Sequence, residues 1–169
     1  FMMGHPGKKL LFMGQEFAQL REWSEERELD WYLLAEQPHQ QMQNWVQDLL
    51  HLYKKEKALY ELDTEEKGFK WINKDDVFRS IFSFVRYSKD KKRNLLFVCN
   101  FTPVERDDYR VGVPKKGQYK LILNSDDARY GGTGAARSNF YRSKKQECDG
   151  QDYSFAYPLP GYGVAVFEF

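Results

Sequence analysis

The chain has 169 residues, 26 Lys and Arg against 25 Asp and Glu, and a net charge of +1. That length accommodates one medium domain or a small domain joined to part of another. The balanced charge excludes the strong basic excess that a nucleic-acid face requires, so no nucleic-acid partner is expected.

Aromatic residues make up 17% of the chain. Two readings compete: a β-rich core, because strands favour Phe, Tyr and Trp, or a surface on which flat rings stack against sugar faces. Cys99 and Cys148 form no disulfide framework and no metal-ligand spacing. Cys99 sits in an apolar run and reads as a small buried hydrophobe, which fits a reducing, cytoplasmic setting. No stretch has the length of a membrane span, so no membrane partner is expected. A chain opening at Phe1 reads as a piece of a longer protein.

In chain order, Leu10, Leu11, Phe12 and Met13 follow a glycine turn and two lysines. Such a continuous apolar run predicts a strand buried on both faces of a parallel sheet. The segment 14–34 has no clear period and carries Glu16, Arg21, Glu22, Trp23, Asp30 and Trp31. Long loops after buried strands concentrate function. Pro38 then opens a helix in which Met42, Trp45, Val46, Leu49, Leu50 and Tyr53 recur at three- and four-residue spacing. Together these make one βα unit, which has no sheet of its own to join.

Beyond about Leu62 the pattern becomes strand-like. Runs at Phe69–Ile72, Ser80–Tyr87, Leu95–Phe101, Tyr109–Val113, Tyr119–Leu123, Tyr153–Tyr157 and Val164–Phe169 alternate with turn signals. Tyr109, Val111 and Val113 are expected on one face, as are Tyr119, Leu121 and Leu123. Leu95–Phe101 is apolar on both faces and is expected to be central. Short strands without intervening helices predict an antiparallel β-sandwich. The expected division is therefore 1–62 for the βα unit and 63–169 for an all-β domain.

Glu16, Glu22 and Asp30 lie where α/β folds assemble their sites, just after a strand's C-terminal end. Paired carboxylates serve glycosyl transfer, although loop carboxylates are more often simply solvated. Trp23 and Trp31 suit either a sugar-lining role or packing. Gly131, Gly132 and Gly134 lack the Lys-Ser/Thr and the helix that a phosphate loop needs, and read as a turn. His5, His39 and His51 show no metal-ligand spacing, so no metal is expected. Nothing resembles a Ser-His-Asp or Cys-His set.

The ordered motifs His5-Pro-Gly-Lys-Lys-Leu-Leu-Phe-Met-Gly14, Gly14-Gln-Glu-Phe-Ala-Gln19, Arg21-Glu-Trp23 and Leu29-Asp-Trp31 resemble bacterial-type 1,4-α-glucan (glycogen) branching enzymes of the α-amylase superfamily. Val98-Cys-Asn-Phe-Thr-Pro103, Tyr109-Arg-Val-Gly-Val-Pro114 and Tyr130-Gly-Gly-Thr-Gly134 extend the resemblance through the second half. Gln15 stands where the family often has Asn, and Ala18 where it often has Gly.

The resemblance implies the last βα unit of a truncated (β/α)8 barrel followed by a C-terminal antiparallel β-sandwich. It implies an α-glucan substrate, no cofactor, and a missing N-terminal barrel that carries the catalytic Asp, Glu and second Asp. On this chain Gly14, Gln15, Glu16, Phe17, Glu22 and Trp23 would border the substrate cleft, with no catalytic residue among them. The alternative is a non-catalytic carbohydrate-binding or structural module. In that case Trp71, Tyr109, Tyr130, Tyr141 and Tyr162 are the surface rings expected to meet glucan. Because Leu10–Met13 lacks a sheet, self-association of the chain is also expected.

Overall fold

A computed structural model describes residues 1–169. It contains one long helix, α1 (Gln37–Lys55), and nine strands, all from Phe69 onward. The strands are β1 (Phe69–Asn73), β2 (Ile81–Arg86), β3 (Leu95–Asn100), β4 (Arg106–Val113) and β5 (Gln118–Asn124). They continue with β6 (Phe140–Arg142), β7 (Lys144–Cys148), β8 (Gln151–Leu159) and β9 (Val164–Glu168).

Six strands form one sheet in the order β1-β2-β3-β9-β5-β6, and β4-β8-β7 form a second. Every pairing is antiparallel. The expected all-β, antiparallel second half is therefore present. All seven runs expected to be strands are strands, within a residue or three at their ends. β6 and β7 were not expected. Their sequences, Phe-Tyr-Arg and Lys-Lys-Gln-Glu-Cys, are mostly exposed and charged. That is how sheet edges discourage unwanted pairing, and it hides the alternation that marks a strand.

The two sheets face each other across a core that includes Ile81, Val85, Leu96, Val98, Val111, Phe155 and Phe167. Tyr109, Val111 and Val113 enter it together, as their alternation requires. A second cluster lies on the outer face of the larger sheet, where Phe84, Leu95, Phe97, Cys99 and Val166 meet Ala58 and Leu59. The end of α1 covers that face with Leu52 and Tyr53. β3 is thus buried on both sides, and Leu95–Asn100 is buried at every residue. Its doubly apolar sequence has that physical cause.

One expected face breaks. The β5–β9 register slips between Leu121 and Leu123, where Leu121 pairs with Phe167 and Leu123 with Val166. Tyr119 and Leu121 stay with the inter-sheet core, while Ile122 and Leu123 both turn to the outer cluster. A bulge adds one residue and reverses the sidedness beyond it.

Leu10–Met13, expected to form a buried strand, makes no sheet pairing. Leu10 is 69% exposed, and Leu11, Phe12 and Met13 are exposed as well. A strand is completed by a neighbour's N–H and C=O groups, and here the run has none. The N-terminal segment is anchored instead by Arg86, whose side chain is fully buried. Its Nη1 donates to Gly4 O at 2.7 Å, and its Nη2 donates to Leu59 O at 3.0 Å and Asp63 Oδ1 at 2.7 Å. Asp63 Oδ2 in turn accepts from Gly7 N at 2.9 Å.

Candidate functional site

The segment between the unpaired run and α1 has a defined shape. A turn at Met13 and Gly14 (φ 37° and 87°) leads into a short 3-10 segment, Gln15–Phe17. Gln15 Oε1 accepts from Phe12 N at 3.0 Å, which ties the turn to the preceding run. Ala18 closes the 3-10 segment in the left-handed region, at φ 56° and ψ 49°. That conformation favours glycine, the residue the resembling family often carries there. Phe17 is fully buried against Trp31, with ring centroids 5.3 Å apart. His39 of α1 places its Nδ1 2.7 Å from Phe17 O, so this histidine packs locally.

Two side chains cinch the longer part of the loop. Gln19 Oε1 accepts from Asp30 N at 2.8 Å, and its Nε2 donates to Arg21 O at 2.9 Å. Arg21 grips Asp30 with two parallel bonds, one of them Nε to Oδ2 at 2.8 Å. Asp30 is only 3% exposed. The hydrogen bonds from Arg21 hold its carboxyl below the usual carboxylate range and stabilise the guanidinium as charged. Asp30 is therefore a buried structural clasp, with each carboxylate oxygen engaged by Arg21.

The remaining loop groups face outward. Trp23 is 42% exposed and meets Phe12 edge-on at 5.3 Å. Glu22 is exposed, and its carbonyl accepts from Arg27 Nη2 at 2.7 Å. Glu16 is half-buried beside a shallow groove formed with Gln43, Val46, Gln47 and Leu50 of α1. The structure thus brings Gly14, Gln15, Glu16 and Phe17 into one turn, with Trp23 and Phe12 forming an aromatic ledge beside it.

The five aromatic residues expected as a surface set do not form one. Tyr109 is 5% exposed in the inter-sheet core, and burial pushes its phenol up to about 12. Tyr141 packs into the same core against Phe155, Tyr157 and Phe167. Trp71 is part of an aromatic stack with His5, Phe69 and Phe84 on the outer face of the large sheet. These three are needed to fill volume, and the high aromatic content is largely core, as a β-rich fold demands. Tyr130 is half-buried against Trp45, with its hydroxyl bonded to Asp48. Tyr162 alone of the five is openly exposed.

Several organising groups carried no periodic signal in the sequence. Asp126 is buried, and its carboxylate accepts from Thr133 N at 2.8 Å, Thr133 Oγ1 at 2.9 Å and Ala135 N at 2.8 Å. It shapes the glycine-rich turn, where a Cβ at Gly132 would lie 2.3 Å from Asp126 backbone. Arg129 pairs with Asp48 at 2.8 Å, so the turn is docked on α1. Cys99 is fully buried, and burial raises its thiol to about 11, which keeps it protonated and unreactive. No helix is long and apolar enough to cross a membrane.

A two-sheet antiparallel domain capped by a helix and an N-terminal loop defines a class. The chain belongs to the family described as "Alpha amylase, C-terminal all-beta domain", which matches residues 71–169. It is also similar along its whole length to proteins named 1,4-alpha-glucan branching enzyme GlgB. With that of Butyrivibrio fibrisolvens it shares 50% identity over 100% of this chain and 26% of the relative. With that of Gloeobacter violaceus it shares 48% over 99% of this chain and 23% of the relative. The Aquifex aeolicus protein is 45% identical over 99% of this chain and 27% of its own length. The chain therefore spans about a quarter of the length of the relatives it matches.

Proposed function

We propose that this chain is the C-terminal part of a 1,4-α-glucan branching enzyme. The observation that carries the reading is collinear similarity to branching enzymes across the whole chain, including residues 1–70, ahead of the all-β family match. Residues 1–62 are the last βα unit of a (β/α)8 barrel, and 63–169 are the sandwich that braces it. Leu10–Met13 becomes a paired strand where a neighbouring barrel strand satisfies its backbone.

In this reading the complete enzyme breaks an α-1,4 bond and holds the released segment as a glycosyl ester on a carboxylate. It then transfers the segment to a 6-hydroxyl with retention, without a cofactor. The nucleophile and acid/base belong to the other barrel strands. This chain supplies one rim of the cleft: the Gly14–Phe17 turn shapes the wall, and Glu22 and Trp23 face the glucan. The clasped Asp30 is unsuited to act as a nucleophile, because Arg21 already occupies both its oxygens.

The chain by itself is expected to have no turnover. Incubation with amylose, followed by enzymatic debranching and chain-length analysis, should reveal no new α-1,6 linkages. Robust branching by this chain alone would sink the division of labour proposed here.

A further inference from the structure

A small concave site lies where the end of α1 meets the hairpin between β2 and β3, and no residue of the loop 14–34 lines it. The pocket, about 260 Å³, is lined by Lys55, Glu56, Lys57, Ser88, Asp90 and Arg93, with no apolar side chain among them. The hairpin adds Lys89, Lys91 and Lys92, all exposed.

The carboxylates at this site are already committed. Glu56, 2% exposed, takes Arg93 Nη2 and Nε at 2.7 Å each, and the same guanidinium reaches Glu168 at 3.0 Å. Glu61 Oε2 accepts from Lys89 N at 3.0 Å. Asp90 Oδ1 accepts from Lys92 N and from Ser88 Oγ, each at 3.0 Å. Those two bonds hold the Asp90 carboxyl below its usual range, and the charges of Lys92 and Lys57 add to the effect. A lysine of the hairpin and a lysine beyond the helix thus act on one point. The ammonium groups of Lys55, Lys89, Lys91 and Lys92 make no ion pair, and Lys57 has only a long contact to Glu61 at 3.8 Å.

Local structure does not require this charge. Lys54 and Lys55, in the last turn of α1, complement the carbonyl end of the helix dipole. Lys57, Lys89, Lys91 and Lys92 lie beyond α1 and have no such duty. The hairpin nevertheless has a fixed shape. Lys91 sits at φ 56°, its N donates to Ser88 O at 3.1 Å, and Asn94 Nδ2 donates to Lys91 O at 3.0 Å. Asn94 is buried and exchanges two backbone bonds with Phe169, each at 3.1 Å. Like charges gathered on a fixed turn repel one another, on a chain whose net charge is only +1. A compact anion with more than one charge relieves that repulsion and matches the small polar lining.

We infer that this pocket binds a phosphoryl dianion, free or carried on a small sugar, with Lys57 donating to its oxygens from the helix side and Lys92 from the hairpin. Lysine binds phosphate as a point charge with several donors, and a phosphoryl group offers three strong acceptor oxygens. The site is separate from the cleft rim and does not depend on the function proposed above. Occupancy pins the hairpin to the end of α1, the part of the helix that covers the outer face of the larger sheet with Leu52 and Tyr53.

The test titrates this chain with inorganic phosphate, and in a second arm with glucose 6-phosphate, against sodium chloride at matched ionic strength. Saturable amide shifts are expected at Lys57 and across residues 88–93 with phosphate and not with chloride. Tighter binding of the ester assigns the ligand to a phosphorylated sugar, whereas equal or weaker binding assigns it to free phosphate. Lys57→Gln combined with Lys92→Gln removes two exposed charges without touching the Arg93–Glu56 pair, and should weaken affinity about tenfold or more. Lys144→Gln, on β7 of the other sheet, should leave affinity unchanged. Shifts that merely follow ionic strength, or unaltered affinity in the double variant, overturn the site.

Discussion

Ala18 carries a measurable cost. A left-handed residue with a Cβ is strained by about 1–2 kcal/mol, partly offset by the extra freedom glycine gains in the unfolded chain. Ala18→Gly is therefore expected to stabilise the chain by up to about 1 kcal/mol in urea titrations. Destabilisation would mean that the methyl group makes a compensating contact. Asp30 gives a pH signature of known sign. Its folded carboxyl is held below its ordinary value of 3.8 by Arg21, so the clasp contributes fully above that value. The contribution is lost as pH falls further, through the folded carboxyl's own titration. Amide exchange in residues 14–34 should accelerate in that acidic window, and Arg21→Ala should abolish the pH-dependent step. The sequence displayed Arg21, Asp30 and Trp23 as loop residues. It did not show that nine residues apart, Arg21 and Asp30 close on each other, because a loop contact has no period.

At the scale of elements, the helix and seven strands were legible because burial marks the sequence, as a period where one face is covered and as a continuous apolar run in β3, where both are. β6 and β7 escaped because edge strands owe nothing to that rule. The bulge at Leu121–Leu123 escaped because it is set by pairing with β9. Arg86 was similarly unmarked, a charge within an apolar strand. It joins β2 to Gly4, to Leu59 beyond α1, and to Asp63. Arg86→Leu leaves three acceptors without their donor in a buried position, and should cost about 3 kcal/mol or more in urea unfolding. The N-terminal turn should also lose protection, since both Gly4 and Gly7 depend on this pair. A loss below about 0.5 kcal/mol, the ordinary range for surface changes, would show the anchor to be dispensable.

At the scale of the whole molecule, the sandwich buries the facing sides of its two sheets, while a run of apolar side chains in the N-terminal third has no cover. Leu10, Leu11, Phe12, Met13 and Leu20 are exposed, and so are Met42 and Leu50 on α1. Exposed apolar side chains of this kind favour association, and an unpaired run can pair with its copy. The chain in isolation is expected to self-associate with rising concentration, with a mean mass by light scattering above 20.1 kDa. Leu10→Lys with Phe12→Lys should return it toward the monomer. A monomer at high concentration without those changes would show that the surface is tolerated.

The sequence by itself determined the all-β character of the second half, the central placement of Leu95–Asn100 and the helix after Pro38, because local periodicity records burial. It also carried the ordered motifs that resemble branching enzymes. The tertiary structure decided what spacing cannot express. Tyr109 and Tyr141 turn into the core, while Tyr130 and Tyr162 converge from turns about thirty residues apart, because sheet pairing and not proximity in the chain brings them together. It decided equally that Leu10–Met13, apolar enough for a buried strand, stays unpaired here, since a strand exists only where another backbone completes its hydrogen bonds.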